Sequence, residues 1–198
     1  MATLARDMVT GLVLAGGRGS RMGGVDKGLQ MLDGVPLVEH AARRLAPQVG
    51  ALMINANRNL DTYARFGFPV CPDADREFAG PLAGFVAGLA RCASDWLATV
   101  PCDTPRFPVD LVERLLAAVG TASVAVACTR ENGVTQRQPV FCLLRRTVHA
   151  DIVAYLAGGG RKIDGWFKQE NCVDVLFEDV DAFFNANTLE ELRRLGPA

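Results

Sequence analysis

The first half of the chain alternates short apolar runs with stretches of helical periodicity, and that alternation is the strongest limit on its fold. "MVTGLVLA" (8–15), "ALMINAN" (51–57) and "DWLATVPCD" (95–103) are apolar almost throughout, as strands buried on both faces are. Between them, "PLVEHAARRLAPQ" (36–48) carries Leu37, His40, Ala41 and Leu45 on one stripe, and "GPLAGFVAGLARCA" (80–93) carries Leu82, Phe85, Val86 and Leu89 at helical spacing. "PVDLVERLLAAVG" has a proline start and a glycine stop. Such a sequence predicts an α/β protein with a single Rossmann-like domain: a mostly parallel central sheet with helices on both faces. A short polar helix and the strand-like "FPVCPD" fill the interval after residue 57.

The second half is less regular. "SVAVACT" and "QPVFCLLRR" have the look of strands separated by a polar turn, "RENGVTQR" (130–137). A helix near 146–157, the glycine run 158–160, a helix through "KIDGWFKQ", the strand "CVDVLF" and a capped helix "NTLEELRRL" complete the chain. No linker or repeat divides it, so the expectation is one domain over 1–198 with a more elaborate C-terminal half.

Composition excludes several functions. At 198 residues and 49% apolar content the chain can bury one sizeable core. A formal net charge of -1 argues against a general nucleic-acid or polybasic membrane binder. No apolar stretch approaches the roughly 18 residues of a membrane span, and the expected location is the cytoplasm. The cysteines at 71, 92, 102, 128, 142 and 172 lack zinc-site spacing and are expected to be small buried hydrophobes in a reducing compartment. His40 and His149 lie far apart on expected helices, where a structural or solvated role is the better reading.

The chemistry is expected at "LAGGRGSRMGGVDKGL" (14–29), which places six glycines, two arginines and a lysine directly after the first strand. In open α/β sheets ligands bind at the carboxyl ends of strands. Glycines let backbone N–H groups approach a phosphate, and Arg21 and Lys27 add cations, so the loop has the makings of a polyphosphate cradle. It is not a Walker loop, because Lys27 is followed by Gly28 and Leu29 rather than by a hydroxyl residue. From Gly17 it runs G-R-G-S-R-M, so the third glycine of a dinucleotide fingerprint is missing as well.

The loop resembles the nucleotidyltransferase signature L-A-G-G-x-x-x-R-M-G-x-x-K, and its double glycine before "VDKGL" resembles the molybdenum cofactor guanylyltransferases. The likeness continues through "INANR" (54–58), "GPLAG" (80–84), "PCDTP" (101–105) and "FFNANTLEEL" (183–192), in order along nearly the whole chain. It implies transfer of GMP from GTP to the phosphate of molybdenum-bound molybdopterin, with Mg²⁺ as cofactor and pyrophosphate released. It also implies a nucleotide-binding half, 1–110, an acceptor-binding half, 111–198, and transient contact with other molybdenum cofactor proteins.

By the same resemblance, Leu14, Ala15, Gly16 and Gly17 line guanine and phosphates through their backbone, and Lys27 contacts the phosphates. Asn55 and Asp73 lie around the nucleotide, Asp103 is the magnesium ligand, and Arg21 binds the departing β/γ-phosphates. Taken alone, Asn55 and Asn57 are equally well strand-end turn formers, Asp73 a solvated loop acid, and Asp103 a turn cap. For the acceptor, Arg161 and Lys162 are expected at its phosphate, with Asn185 and Asn187 near the pterin or metal. Gln138 is a further candidate, and Trp166 offers either a stacking face or core packing. Two alternatives stand beside this reading: a relative using CTP or a sugar phosphate, and a nucleotide-binding partner without turnover.

Overall fold

A computed structural model describes residues 6–16, 26–74, 80–186 and 191. A seven-stranded sheet dominates it, ordered β5-β4-β1-β6-β8-β7-β9. The strands are β1 (Val9–Leu14), β4 (Ala51–Asn55), β5 (Val70–Cys71), β6 (Trp96–Pro101), β7 (Val124–Glu131), β8 (Val134–Arg145) and β9 (Cys172–Phe177). A separate ribbon pairs β2 (Met31–Leu32) with β3 (Val35–Pro36). Within the main sheet only β8 runs against its neighbours, so the sheet is mostly parallel, as the unbroken apolar runs predict.

Side chains alternate strictly between two cores. Val9 and Val13 of β1, Ile54 of β4 and Ala98 and Val100 of β6 point to one face. That face is covered by α1 (Leu37–Leu45) through Val38, Ala41, Ala42 and Leu45, and by α4 (Leu111–Ala118) through Leu111, Val112 and Leu115. Tyr63 of α2 (Leu60–Ala64) joins the same core. Leu12, Met53, Leu97 and Val126 point to the other face, under α3 (Pro81–Arg91), α5 (His149–Ala157) and α6 (Ile163–Phe167). Helix-interior glycines allow α3 to sit close. A Cβ on Gly88 would stand 2.6 Å from Leu12 Cδ2, and one on Gly84 2.5 Å from Leu14 Cδ2.

One expectation needs correction. The polar stretch 130–137 is not a turn between strands, because β7 and β8 continue through it as an exposed ribbon. The turn is only Asn132 and Gly133, at φ 50 and 79, the left-handed pair that a two-residue hairpin requires. Of the two roles expected for Trp166, the structure has core packing: it is 0% exposed and packs beside Phe167 in the second core. Of the expected C-terminal helix, residues 187–190 and 192–198 lie outside the described residues.

Among the described residues no helix is long and apolar enough to cross a membrane. Five of the six cysteines are buried, Cys172 is partly so, and all are free thiols, in line with their apolar setting. His40 sits in α1 with Nε2 at 2.8 Å from the Leu32 carbonyl, a structural bond to the small ribbon.

Candidate active site

The register of the parallel strands aligns their carboxyl ends. Leu14 lies beside Asn55 on one side and Pro101 on the other, and Asn55 lies beside Cys71. The chain leaves β1 toward β4 and later enters β6 on its opposite flank, so the sheet changes winding direction between β1 and β6. That is where an open α/β sheet leaves a crevice for a ligand. Backbone bonding carries the alignment one residue further: Ala15 N–H donates to the Asn55 carbonyl at 2.8 Å, and Cys102 N–H to that of Leu14 at 3.0 Å.

The residues just past these ends are the ones singled out above. Lys27 and Asp103, 76 positions apart, meet at the crevice with Nζ 2.5 Å from Oδ2. Their side chains are 21% and 18% exposed, so the pair lines the opening rather than the core. A cation and an acid side by side suit a ligand that combines phosphates with a divalent ion.

Asp73, following β5, is no solvated loop acid. Asn55 Nδ2 donates to its Oδ1 at 2.8 Å and Asn57 Nδ2 to its Oδ2 at 2.7 Å, while its own N–H donates to Asn57 Oδ1 at 2.8 Å. Asn55 Nδ2 also reaches the Cys71 carbonyl, so the buried amide ties β4 to the segment after β5. Gly16 lies against this network: a Cβ there would be 2.9 Å from Asn57 Nδ2 and 3.0 Å from Asn55 Oδ1. The expected pair Asn55 and Asp73 is therefore joined to Gly16 and Asn57 in one array.

Three residues that the sequence reading did not single out complete this end. Asp26, 8% exposed, accepts hydrogen bonds from Tyr63 Oη at 2.6 Å and Asn59 Nδ2 at 2.9 Å. Burial, then the bond to Asp26, holds the Tyr63 hydroxyl far above its ordinary pKa, so it stays a donor. Asp26 could have been noticed as the acid directly before the signature lysine. Nothing in "NLDTYA" marks Tyr63 or Asn59, since a helix this short shows no periodicity.

Beyond Asp103, Thr104 is fully buried and donates its hydroxyl to Asn185 Oδ1, and Ala186 N–H donates to the Asp103 carbonyl at 2.9 Å. Asn185 is thus brought to the Asp103 segment. Arg161 and Lys162 lie in the connection from α5 to α6, on the α3 and α5 face of the sheet. The Arg161 guanidinium donates to the carbonyls of Leu156 at 2.8 Å and Gly160 at 2.6 Å, and the Lys162 carbonyl accepts from Tyr155 Oη. Gln138, on the ribbon, donates to Thr129 Oγ1 at 3.1 Å. Gly17, Arg21 and Asn187 fall outside the described residues.

Asp103, at the mouth of the crevice, is a carboxylate that could hold a metal ion. Among the described residues no group of three or more His, Cys, Asp or Glu side chains is placed to hold a metal ion. Magnesium is commonly held by one or two carboxylates with water and substrate phosphates, and a lone acid at a strand end fits that donor set.

Comparison with known proteins agrees with this arrangement. A family model described as the MobA-like NTP transferase domain matches residues 11–172. A molybdenum cofactor guanylyltransferase of Bordetella petrii is 56% identical over 189 residues, covering 94% of this chain and 96% of its own length. Its counterpart in Cupriavidus necator is 56% identical over 193 residues, with 96% and 97% covered. Among solved structures, molybdopterin-guanine dinucleotide biosynthesis protein A of Archaeoglobus fulgidus has the same fold, with TM-score 0.74 at 21% identity over 93% of this chain and 95% of that one. The fold is shared at 12% identity by a 4-diphosphocytidyl-2C-methyl-D-erythritol synthase of Anaerococcus prevotii, with TM-score 0.76 and 94% and 95% covered. The chain belongs to the molybdenum cofactor guanylyltransferases and carries their MobA-like NTP transferase domain.

Proposed function

We propose that the site at the carboxyl edge transfers GMP from GTP to the phosphate of molybdenum-bound molybdopterin. A phosphate oxygen of the acceptor forms the new bond to the α-phosphorus, the bond to the β-phosphate oxygen breaks, and pyrophosphate leaves. The product is molybdopterin guanine dinucleotide. The acceptor phosphate is ionised near pH 7, so the protein need not supply a strong base. Its task is to bring two anions together in line and offset their charge.

The observation that carries this reading is the Lys27 and Asp103 pair at the winding change between β1 and β6. Asp103 would hold Mg²⁺ there and Lys27 would contact the phosphates. When bound, magnesium supplies charge neutralisation at the α-phosphate and the departing pyrophosphate. Leu14, Ala15, Gly16 and Gly17 present backbone groups to the nucleotide, and Arg21 takes the β/γ-phosphates. Asn55 and Asp73 act around the nucleotide; Arg161, Lys162, Asn185 and Asn187 receive the acceptor. Residues 1–110 thus form the nucleotide half and 111–198 the acceptor half.

The test is incubation of the protein with GTP, Mg²⁺ and molybdenum-bound molybdopterin, following pyrophosphate and the guanine dinucleotide. Parallel reactions replace GTP by CTP, or the pterin by a sugar phosphate. Turnover only in one of those would replace the proposal by that relative's activity. Nucleotide binding without pyrophosphate from any pair would leave a non-catalytic binder.

A further inference from the structure

We propose that Asp26 is a positioning residue for the transfer reaction, its buried carboxylate fixing the exit of the glycine-rich loop so that Lys27 stands at the phosphate site. The inference rests on the reading of GTP as the nucleotide. It starts from a cost: a carboxylate that is 8% exposed must be compensated by donors. Asp26 has them from one short segment, with Tyr63 Oη at 2.6 Å, Asn59 Nδ2 at 2.9 Å and Arg58 Nε at 3.5 Å. Buried ionic groups are weak sources of stability, and their better attested use is to specify one geometry among several.

That geometry is the one adjoining Lys27. The Asp26 carbonyl accepts the N–H of Leu29 at 3.2 Å and Gln30 Nε2 at 3.4 Å, and Gln30 N–H donates to the Lys27 carbonyl at 3.1 Å. The tight turn Lys27–Leu29 is therefore tied at the residue that precedes it, Asp26, through both side chain and backbone. Gly28 seats it between two walls: a Cβ there would collide with the Tyr63 hydroxyl and lie 3.2 Å from Ala15 Cβ. A lysine reaches its partner on a flexible four-carbon stem, so fixing its backbone is the way to narrow where the ammonium goes.

The donors come from a segment with a second task. Asn55 and Asn57 hold Asp73, while Arg58 and Asn59, directly after, hold Asp26. One exit from β4 thus sets Asp73 and the Lys27 turn against the same reference. A residue that only stabilised the fold would not need this register with the site.

The experiment is a double-mutant cycle on nucleotide affinity, titrating a fluorescent GTP analogue with Mg²⁺ into wild type, Asp26→Asn, Tyr63→Phe, Lys27→Ala and the two double variants with Lys27→Ala. Tyr63→Phe removes one hydroxyl and keeps the ring, so the cycle can be closed even if Asp26→Asn folds poorly. Each single variant is expected to weaken binding about tenfold, since a bond to a charged partner is lost or a phosphate cation is misplaced. In the Lys27→Ala background neither second change should weaken binding further, because the group they position is gone. In turnover, Tyr63→Phe should raise KM for GTP and leave KM for the acceptor unmoved. Equal losses with and without Lys27, or no loss in the single variants, would overturn the inference while leaving the GTP reading intact. A wild-type protein that does not bind the analogue would overturn both.

Discussion

The backbone N–H of Ala186 donates to the carbonyl of Asp103 at 2.9 Å, and one residue along in each segment the buried Thr104 hydroxyl donates to Asn185 Oδ1. This double link bonds the segment proposed to receive the acceptor directly to the residue proposed to hold the metal. Thr104→Val keeps the shape and removes the hydroxyl that donates to Asn185 Oδ1. The expected cost is about 1 kcal/mol of stability, together with a raised KM for the acceptor and an unchanged KM for GTP. Urea unfolding and two-substrate kinetics check both parts.

Asp103 itself should separate activity from folding. Its side chain is 18% exposed and bonded to Lys27 at the mouth of the crevice, so Asp103→Ala removes little packing. Magnesium-dependent pyrophosphate release is expected to fall at least about a hundredfold, with Tm moved by no more than a few degrees. Near-normal turnover would remove Asp103 from the metal role.

Gly16 tests the backbone cradle from the described side of the loop. The Cβ of Gly16→Ala would stand 2.9 Å from Asn57 Nδ2 and 3.0 Å from Asn55 Oδ1, and neither amide can retreat without releasing Asp73. GTP affinity is expected to drop about tenfold or more, measured by calorimetric titration. Gly84→Ala acts on the same amide from α3, with its Cβ 2.6 Å from Asn55 Oδ1 and 2.5 Å from Leu14 Cδ2. There the expected effect is a loss of about 1–3 kcal/mol of stability from overpacking, read by urea unfolding.

These sites also show which structure a sequence pattern can express. Lys27 was legible in the glycine-rich loop after β1 and Asp103 only through the resemblance carried by "PCDTP"; their meeting follows from β1 and β6 being adjacent parallel strands. The extension of β7 and β8 was not legible: residues 130–138 are largely exposed, so the ribbon carries no apolar alternation, and only Asn132-Gly133 marks its turn. The sequence left Trp166 between a stacking face and core packing, and the phase of α6 decides for the core beside Phe167. The grip on Asp26 could not be read at all, since hydrogen bonds from Asn59 and Tyr63 depend on how a five-residue helix is aimed, which leaves no period in the sequence.

The buried thiols should make the protein lose stability in alkali, and the sign follows from which state holds the proton. Burial pushes the Cys142 thiol up to about 12, with a hydrogen bond to Thr99 pulling the other way, and burial likewise lifts Cys71 to about 11. In the unfolded chain a cysteine ionises near about 8.5. Below that value both states are protonated and the thiol's stabilising contribution is complete. Between about pH 9 and 12 the unfolded chain has lost the proton while folded Cys142 retains it, so unfolding gains and stability falls as pH rises. Near pH 10 each such thiol contributes a slope of about 1.4 kcal/mol per pH unit. Cys142→Ala should therefore flatten the decline in urea-unfolding free energy by one such slope between pH 9 and 10.5, whatever the substitution does to the absolute value. An unchanged slope would mean that Cys142 ionises alike in both states, against its fully buried position between β6 and β7.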